Sequence, residues 1–299
     1  MGGTIRAYRS VKYFGLTFAI SWACFGIAAA RSRAVTGNLM EDPVISLGMI
    51  VGLFGPLIAA GICMSGRGNK PIRQDFKDKL TSLRRIKPGF WPVAFLAYPV
   101  LMAVAVLVSV PFGGSIDQLG LTAKFAIVEG AAALSWVIAF AAPALEELGW
   151  SGYGIDALRG RGPLIRPVVL FGVLWSAWHV PLFFVKGYYH ANLWAESPLY
   201  AVAFLVGVVP LTVITNWIYY RNGRSIIMAI VFHAMVNVTS EAFEVTNATK
   251  TILYGLLIVV AAVLIVCDKR FFLSRDEGLV PRLPKSSQAP TGALSKAGA

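Results

Sequence analysis

The sequence predicts an all-α, polytopic membrane protein of about eight transmembrane helices, and three observations carry that reading. Of 299 residues, 57% are hydrophobic and only 14% are charged, against about a quarter charged in soluble domains. The mean hydropathy is +0.66. Eight apolar runs, at 13–30, 44–65, 90–110, 125–150, 168–185, 199–220, 225–243 and 251–267, match the roughly 17–20 residues a helix needs to cross a hydrocarbon core.

The formal charge of +12 invites a nucleic-acid reading, which the placement of the charge rejects. Of the 27 Lys and Arg, all but Arg31, Arg33, Lys124, Lys186 and Lys250 fall at the two ends or in alternate connections between runs. That asymmetry is the positive-inside pattern and predicts a multi-pass protein with both termini cytoplasmic. The basicity is topogenic, and no nucleic-acid partner is expected. The first run, with basic residues before it and "AAAR" at 28–31, also fits a signal peptide, but its length favours a retained span. Gly2 opens no acylation motif, because position 6 is Arg6.

The expected organisation is residues 1–124 with spans one to three and a basic loop at 66–89, a core at 125–243, a last span within 244–273, and a disordered tail at 274–299. In the basic loop, "QDFKDKLTSLRRI" at 74–86 puts Phe76, Leu80, Leu83 and Ile86 on one helical stripe. This predicts a helix lying on anionic headgroups, with membrane lipids as partners. Cys24, Cys63 and Cys267 lie in apolar runs and read as unpaired thiols.

The polar residues inside the runs point to chemistry. "PALEELGW" at 143–150 ends span four on Glu146 and Glu147. A carboxylate at membrane depth costs a few kcal/mol and is functional by default. Helical neighbours point about 100° apart, so one of the two lines a site while the other supports it or reaches the interface. Pro143 is expected to open or kink the helix one turn earlier. "LWSAWHVPLFF" at 174–184 puts Trp175 and His179 on one face, and "IVFHAMVN" at 230–237 does the same for His233 and Asn237. The third histidine, His190, reads as a solvated bystander in an outer loop. Counted from the expected cytoplasmic starts of spans five and seven, His179 and His233 lie roughly 12–17 Å deep at 1.5 Å per residue. All these groups can meet in the inner half of the bilayer.

A shielded glutamate can act as general base on water, with a histidine sharing the proton, while a second His and an Asn donate to an oxyanion. Ser151 and Ser176 lack an identifiable base partner as nucleophiles. Two His and a Glu could also hold zinc, but no H-E-x-x-H arrangement is present. No cofactor is the first expectation and zinc the runner-up.

These segments resemble the three motifs of the CPBP family, the CAAX-protease and bacteriocin-processing intramembrane endopeptidases. The elements are "EELGWSGY" at 146–153, "LWSAWHVPLFF" at 174–184 and "NGRSIIMAIVFHAMVN" at 222–237, and the likeness spans roughly 125–240. It implies a catalytic core of spans four to seven, with Glu146 and His179 activating water, His233 and Asn237 forming the oxyanion hole, and Glu147 in support. It also implies a membrane-associated or prenylated protein or peptide as substrate. Two positions depart from the family pattern: Trp175 stands where phenylalanine is commoner, and Ser151 stands where the motif has arginine. Arg159 or Arg161 of the following loop is the candidate to supply that missing charge. A catalytically inactive scaffold or sensor modulator and a proton-coupled transporter are the competing readings. Oligomeric state has no signature in the sequence.

Overall fold

The computed structural model describes residues 8–126, 131–159 and 162–274. Gly2, Arg6, Arg161 and the expected disordered tail beyond Ser274 lie outside the described residues. The helices are α1 (Ser10–Ser32), α2 (Pro43–Met64), α3 (Lys70–Thr81), α4 (Phe90–Ser109), α5 (Ala123–Ala126), α6 (Ala131–Gly149), α7 (Ile155–Leu158), α8 (Ile165–Trp178), α9 (Tyr189–Glu196), α10 (Pro198–Arg221), α11 (Ile226–Ala242), α12 (Asn247–Cys267) and α13 (Lys269–Leu273). Among the described residues, each of the eight apolar runs contains helix. Among the described residues, six helical segments, at α1, α2, α4, α8 with its following turn, α10 and α12, are long and apolar enough to cross a membrane, and α11 is a shorter apolar helix. The fourth run holds α5 and α6. The fold is polytopic and all-α.

Helix starts follow from local chemistry. The first turn of a helix leaves N–H groups without partners, and short polar side chains fill that need. Asp42 accepts from the N–H groups of Val44 and Ile45 at 3.0 and 3.1 Å. Its carboxyl is held below the usual range chiefly by the hydrogen bond from Arg31, which outweighs its partial burial. Ser197, Ser225 and Thr246 cap α10, α11 and α12 in the same way.

The helix α11 packs against α4, α6 and α10, while α10 packs between α8 and α12. The α1–α2 hairpin joins this bundle through α2 against α6. Tyr13, Phe14 and Phe25 of α1 belong to the main hydrophobic cluster, so the first span is packed into the bundle. The approach of α6 to α2 depends on Gly149: a Cβ there would lie 2.4 Å from the Pro56 carbonyl carbon and 2.6 Å from the Leu57 nitrogen. Both contacts are to backbone, which cannot rotate aside.

α6 remains helical through Pro143, and the departure from α geometry comes at Trp150–Gly154, a π-helical turn. The basic-loop helix ends at Thr81, leaving Leu83 exposed beyond it. One face of α3 packs on α2, α11 and the π turn. Ile72 and Lys79 of α3 are buried, and the Phe76 ring abuts Gly152. The three cysteines are unpaired, with Cys63 buried, Cys24 half-buried and Cys267 exposed.

Gly149→Ala is expected to destabilise the purified protein by about 1–3 kcal/mol, the usual cost of overpacking. A thermal midpoint in detergent equal to that of the parent would count against the close α2–α6 contact.

Candidate functional site

The end of α6 carries two adjacent carboxylates into different surroundings. Glu146 is 7% exposed and Glu147 2% exposed. Oε2 of Glu146 accepts from the indole N–H of Trp175 at 3.2 Å and of Trp150 at 3.4 Å. Trp150 is itself buried among Tyr13, Phe14, Phe171 and Trp178, so one carboxylate oxygen is fixed by a rigid aromatic wall. Glu147 Oε1 accepts from Nδ1–H of His233 at 3.1 Å, and Oε2 accepts from the Ser151 hydroxyl. Both glutamates are therefore inside the protein, and neither reaches an interface.

His179 caps the end of α8. Pro181 has no N–H to continue that helix, and the chain turns into a 3₁₀ segment at Val180–Phe184. Nδ1 of His179 lies 2.8 Å from the Trp175 carbonyl. A carbonyl only accepts, so Nδ1 carries the proton and Nε2 of the neutral ring keeps its lone pair. The Trp175 ring lies edge-on to His233, with centroids 5.0 Å apart. Trp175 thus links Glu146, His179 and His233. Asn237, one turn beyond His233, is half-buried. No described partner holds its amide.

Neither serine near the motifs is hydrogen-bonded to an imidazole. Ser176 donates to the Leu205 carbonyl at 2.8 Å, and Ser151 touches a carboxylate rather than an imidazole. Arg159 does not supply the charge missing at position 151: Nη1 reaches for the Gly162 carbonyl at 3.5 Å, and the guanidinium lies over the Tyr220 ring at 5.9 Å. Among the described residues, no group of three or more His, Cys, Asp or Glu is arranged to hold a metal ion. A cavity of about 560 Å³ between α8, α10 and α12 lies along the face of α8 that carries Val169, Val173 and Ser176. It does not include the carboxylates.

Three features escaped sequence reasoning. The first is a buried charge cluster beneath the π turn. Lys79, 0% exposed, bonds to Asp156 at 2.7 Å and lies 3.8 Å from Asp75. Arg224 joins both carboxylates, at 2.6 Å to Asp75 and 2.5 Å to Asp156. Tyr8 donates to Asp75, and Tyr219 and Tyr220 donate to Asp156. Burial works to raise the Asp156 carboxyl, but Arg224 and Lys79 outweigh it and hold that group well below the usual range. Arg224 has φ +65°, the one positive value outside glycine among the described residues. Such a conformation costs about 1–3 kcal/mol and persists only where the surroundings over-determine it; two carboxylates do so here. The i, i+4 spacing of Asp75 and Lys79 was the available sequence signal.

The second is Trp150, whose indole completes the clamp on Glu146. The third is His190, which is 7% exposed and not a solvated bystander. The helix α9 folds back onto α10 and the 3₁₀ segment, stacking His190 on His179 at 5.5 Å and 27° and on Tyr188 at 5.6 Å and 16°. Phe183 and Phe204 close the box. Neither ring nitrogen of His190 has a hydrogen-bond partner. His190→Phe is therefore expected to raise stability by about 1–3 kcal/mol, the penalty of buried polar groups left unbonded. The check is the thermal midpoint in detergent, and a fall would show that the imidazole is satisfied in solution.

A family model described as "Type II CAAX prenyl endopeptidase Rce1-like" matches residues 128–239, which include every candidate site residue. The chain is also 34% identical over 268 residues to the CAAX prenyl protease 2 of Methanococcus maripaludis. That alignment covers 90% of this chain and 97% of the relative.

Proposed function

The chain belongs to the CPBP family of CAAX endopeptidases, and from that membership we propose that it is an intramembrane endopeptidase using a glutamate-activated water. The reaction is hydrolysis of a peptide bond near the cytosolic face of the membrane, with both termini of the chain cytoplasmic. The substrate class is a C-terminal CAAX segment on a prenylated protein, in keeping with the name of the archaeal relative. The observation that carries the reading is the Glu146 carboxylate. One oxygen is clamped by two indole N–H groups, and no described hydrogen bond occupies the other.

In this mechanism the free oxygen of Glu146 takes a proton from water, and Nε2 of His179 accepts a hydrogen bond that orients the same water. The hydroxide attacks the scissile carbonyl carbon. The tetrahedral oxyanion accepts from the Asn237 amide and from Nε2–H of His233. Nδ1–H of His233 is already committed to Glu147, so donation from Nε2 requires the imidazolium, whose charge Glu147 balances. The proton held by Glu146 passes to the departing amide nitrogen as the C–N bond breaks. Ser151 contributes through Glu147, since its hydroxyl occupies the second carboxylate oxygen. No cofactor enters these steps, and zinc held by the histidines and Glu146 is the alternative.

Hydrolysis of a quenched farnesylated CAAX reporter by the purified protein is the direct test. Glu146→Gln and His179→Ala are expected to abolish cleavage without loss of the folded state. Undiminished cleavage by Glu146→Gln sinks the glutamate mechanism. Ser151→Ala is expected to lower kcat by about tenfold, the equivalent of one hydrogen bond of about 1.4 kcal/mol. Treatment with a strong chelator is expected to leave activity in place. Loss on chelation with recovery on added zinc would favour the metal reading instead.

A further inference from the structure

We propose that Lys79 is a positioning residue of the site, holding the backbone at Ser151 and Gly152 so that the Ser151 hydroxyl meets Glu147 and Glu147 meets His233. The proposal rests on the peptidase reading above and extends it to a helix outside the three motifs. An ammonium group has three donors and no acceptor. All three are spent here: on the Ser151 carbonyl at 3.2 Å, the Gly152 carbonyl at 2.7 Å and Asp156 at 2.7 Å. Two of the three go to main-chain atoms of the turn that follows Glu147. Anchoring α3 to the bundle would need only the ion pair with Asp156.

The local geometry keeps those carbonyls away from water. A π turn closes its backbone bonds one residue later than an α-helix does, and this one is wholly buried. A buried carbonyl without a donor costs about 1–3 kcal/mol. Lys79 supplies a donor to each, and the one Tyr219 hydroxyl proton is shared between the Ser151 carbonyl at 2.9 Å and Asp156 at 3.0 Å. From there the path is short: the Ser151 hydroxyl bonds Glu147, and Glu147 bonds Nδ1 of His233. The ammonium thus acts on the reacting end of the site through three consecutive contacts, without touching it.

The test uses Lys79→Met combined with Asp75→Asn, which removes one cation and one anion and leaves Arg224 paired with Asp156. With the farnesylated reporter, kcat is expected to fall by about tenfold to a hundredfold, the scale of a small misplacement of reacting groups. KM is expected to stay within about twofold, because substrate contacts are untouched. The chain has only three histidines, so the imidazole nitrogen signals of His233 can be assigned by substitution and read by NMR in detergent. They are expected to shift in the double variant. Asp75→Asn alone leaves Lys79 on both carbonyls and is expected to keep the parent kcat. If the double variant does not fold, Tyr219→Phe decides: it removes the second donor to the Ser151 carbonyl and is expected to lower kcat several-fold and shift the same signals.

A folded double variant with parent kcat and parent His233 signals overturns the proposal, as does an equal loss in Asp75→Asn alone. Tyr219→Phe with neither change does the same where the double variant is unfolded. Cleavage that persists in Glu146→Gln, or a parent that cleaves nothing, counts against the peptidase reading. The His233 signals then judge Lys79 independently.

Discussion

A fully buried ammonium is the constraint around which one end of this molecule is built. Lys79 has no solvent contact, and an unpaired charge in such a place costs several kcal/mol. Its partners must therefore be present together and in good geometry. They come from α3, the π turn and α7, and those partners are held in turn by groups from the segment before α1, from α10 and from the α10–α11 connection. Two carboxylates and two cations balance, and three tyrosine hydroxyls fill the remaining acceptor positions. Whatever position these elements take, they take jointly. The bundle above is held by nondirectional apolar packing; this end is held by directional bonds.

The same contrast explains how two neighbouring glutamates acquire separate tasks. Successive helical side chains diverge by about 100°, so they meet different helices. Glu146 faces α8 and receives indole N–H groups, which hold it without neutralising it. Glu147 faces α11 and receives an imidazole and a hydroxyl. Trp175 joins the two halves, bonding one carboxylate through its ring nitrogen and His179 through its carbonyl while its ring abuts His233. Aromatic rings with one polar edge suit a dry site for this reason: they fix charge without admitting water.

Much of this was legible in the sequence, and the boundary of legibility has a physical cause. Spans can be read because bilayer thickness imposes a length on each apolar run. Trp175 with His179, and His233 with Asn237, can be read because i, i+4 spacing places both members on one face. Lys79 could not be read as buried, since a lysine in a basic loop is solvated by default and its burial depends on Asp156, 77 positions away. The apolar stripe through Phe76 and Leu80 was visible, but not that it would meet the π-turn glycine and the bundle. His190 was misread because nothing local announced that α9 would fold back; the run of aromatics from Phe183 to Tyr189 was the only hint. The arginine missing at position 151 shows the limit of motif comparison. The structure puts a hydroxyl on Glu147 there, while the nearest buried cation arrives from a different helix altogether.

The bond between Arg224 and Asp75 joins residues 149 positions apart, and that separation bears on biogenesis. When the first two spans and α3 have left the ribosome, Lys79 and Asp75 exist but Asp156, Tyr219 and Arg224 do not. A nascent chain at that stage can insert its apolar hairpin, yet it has no means of burying the basic segment behind it. That segment must wait in water until some two hundred residues have been made. The charged end therefore cannot close before Arg224 has been made, when α11, α12 and α13 are still to follow. A quality-control system that senses exposed lysine and aspartate at the membrane surface would see any product that ends before Arg224 as unfinished.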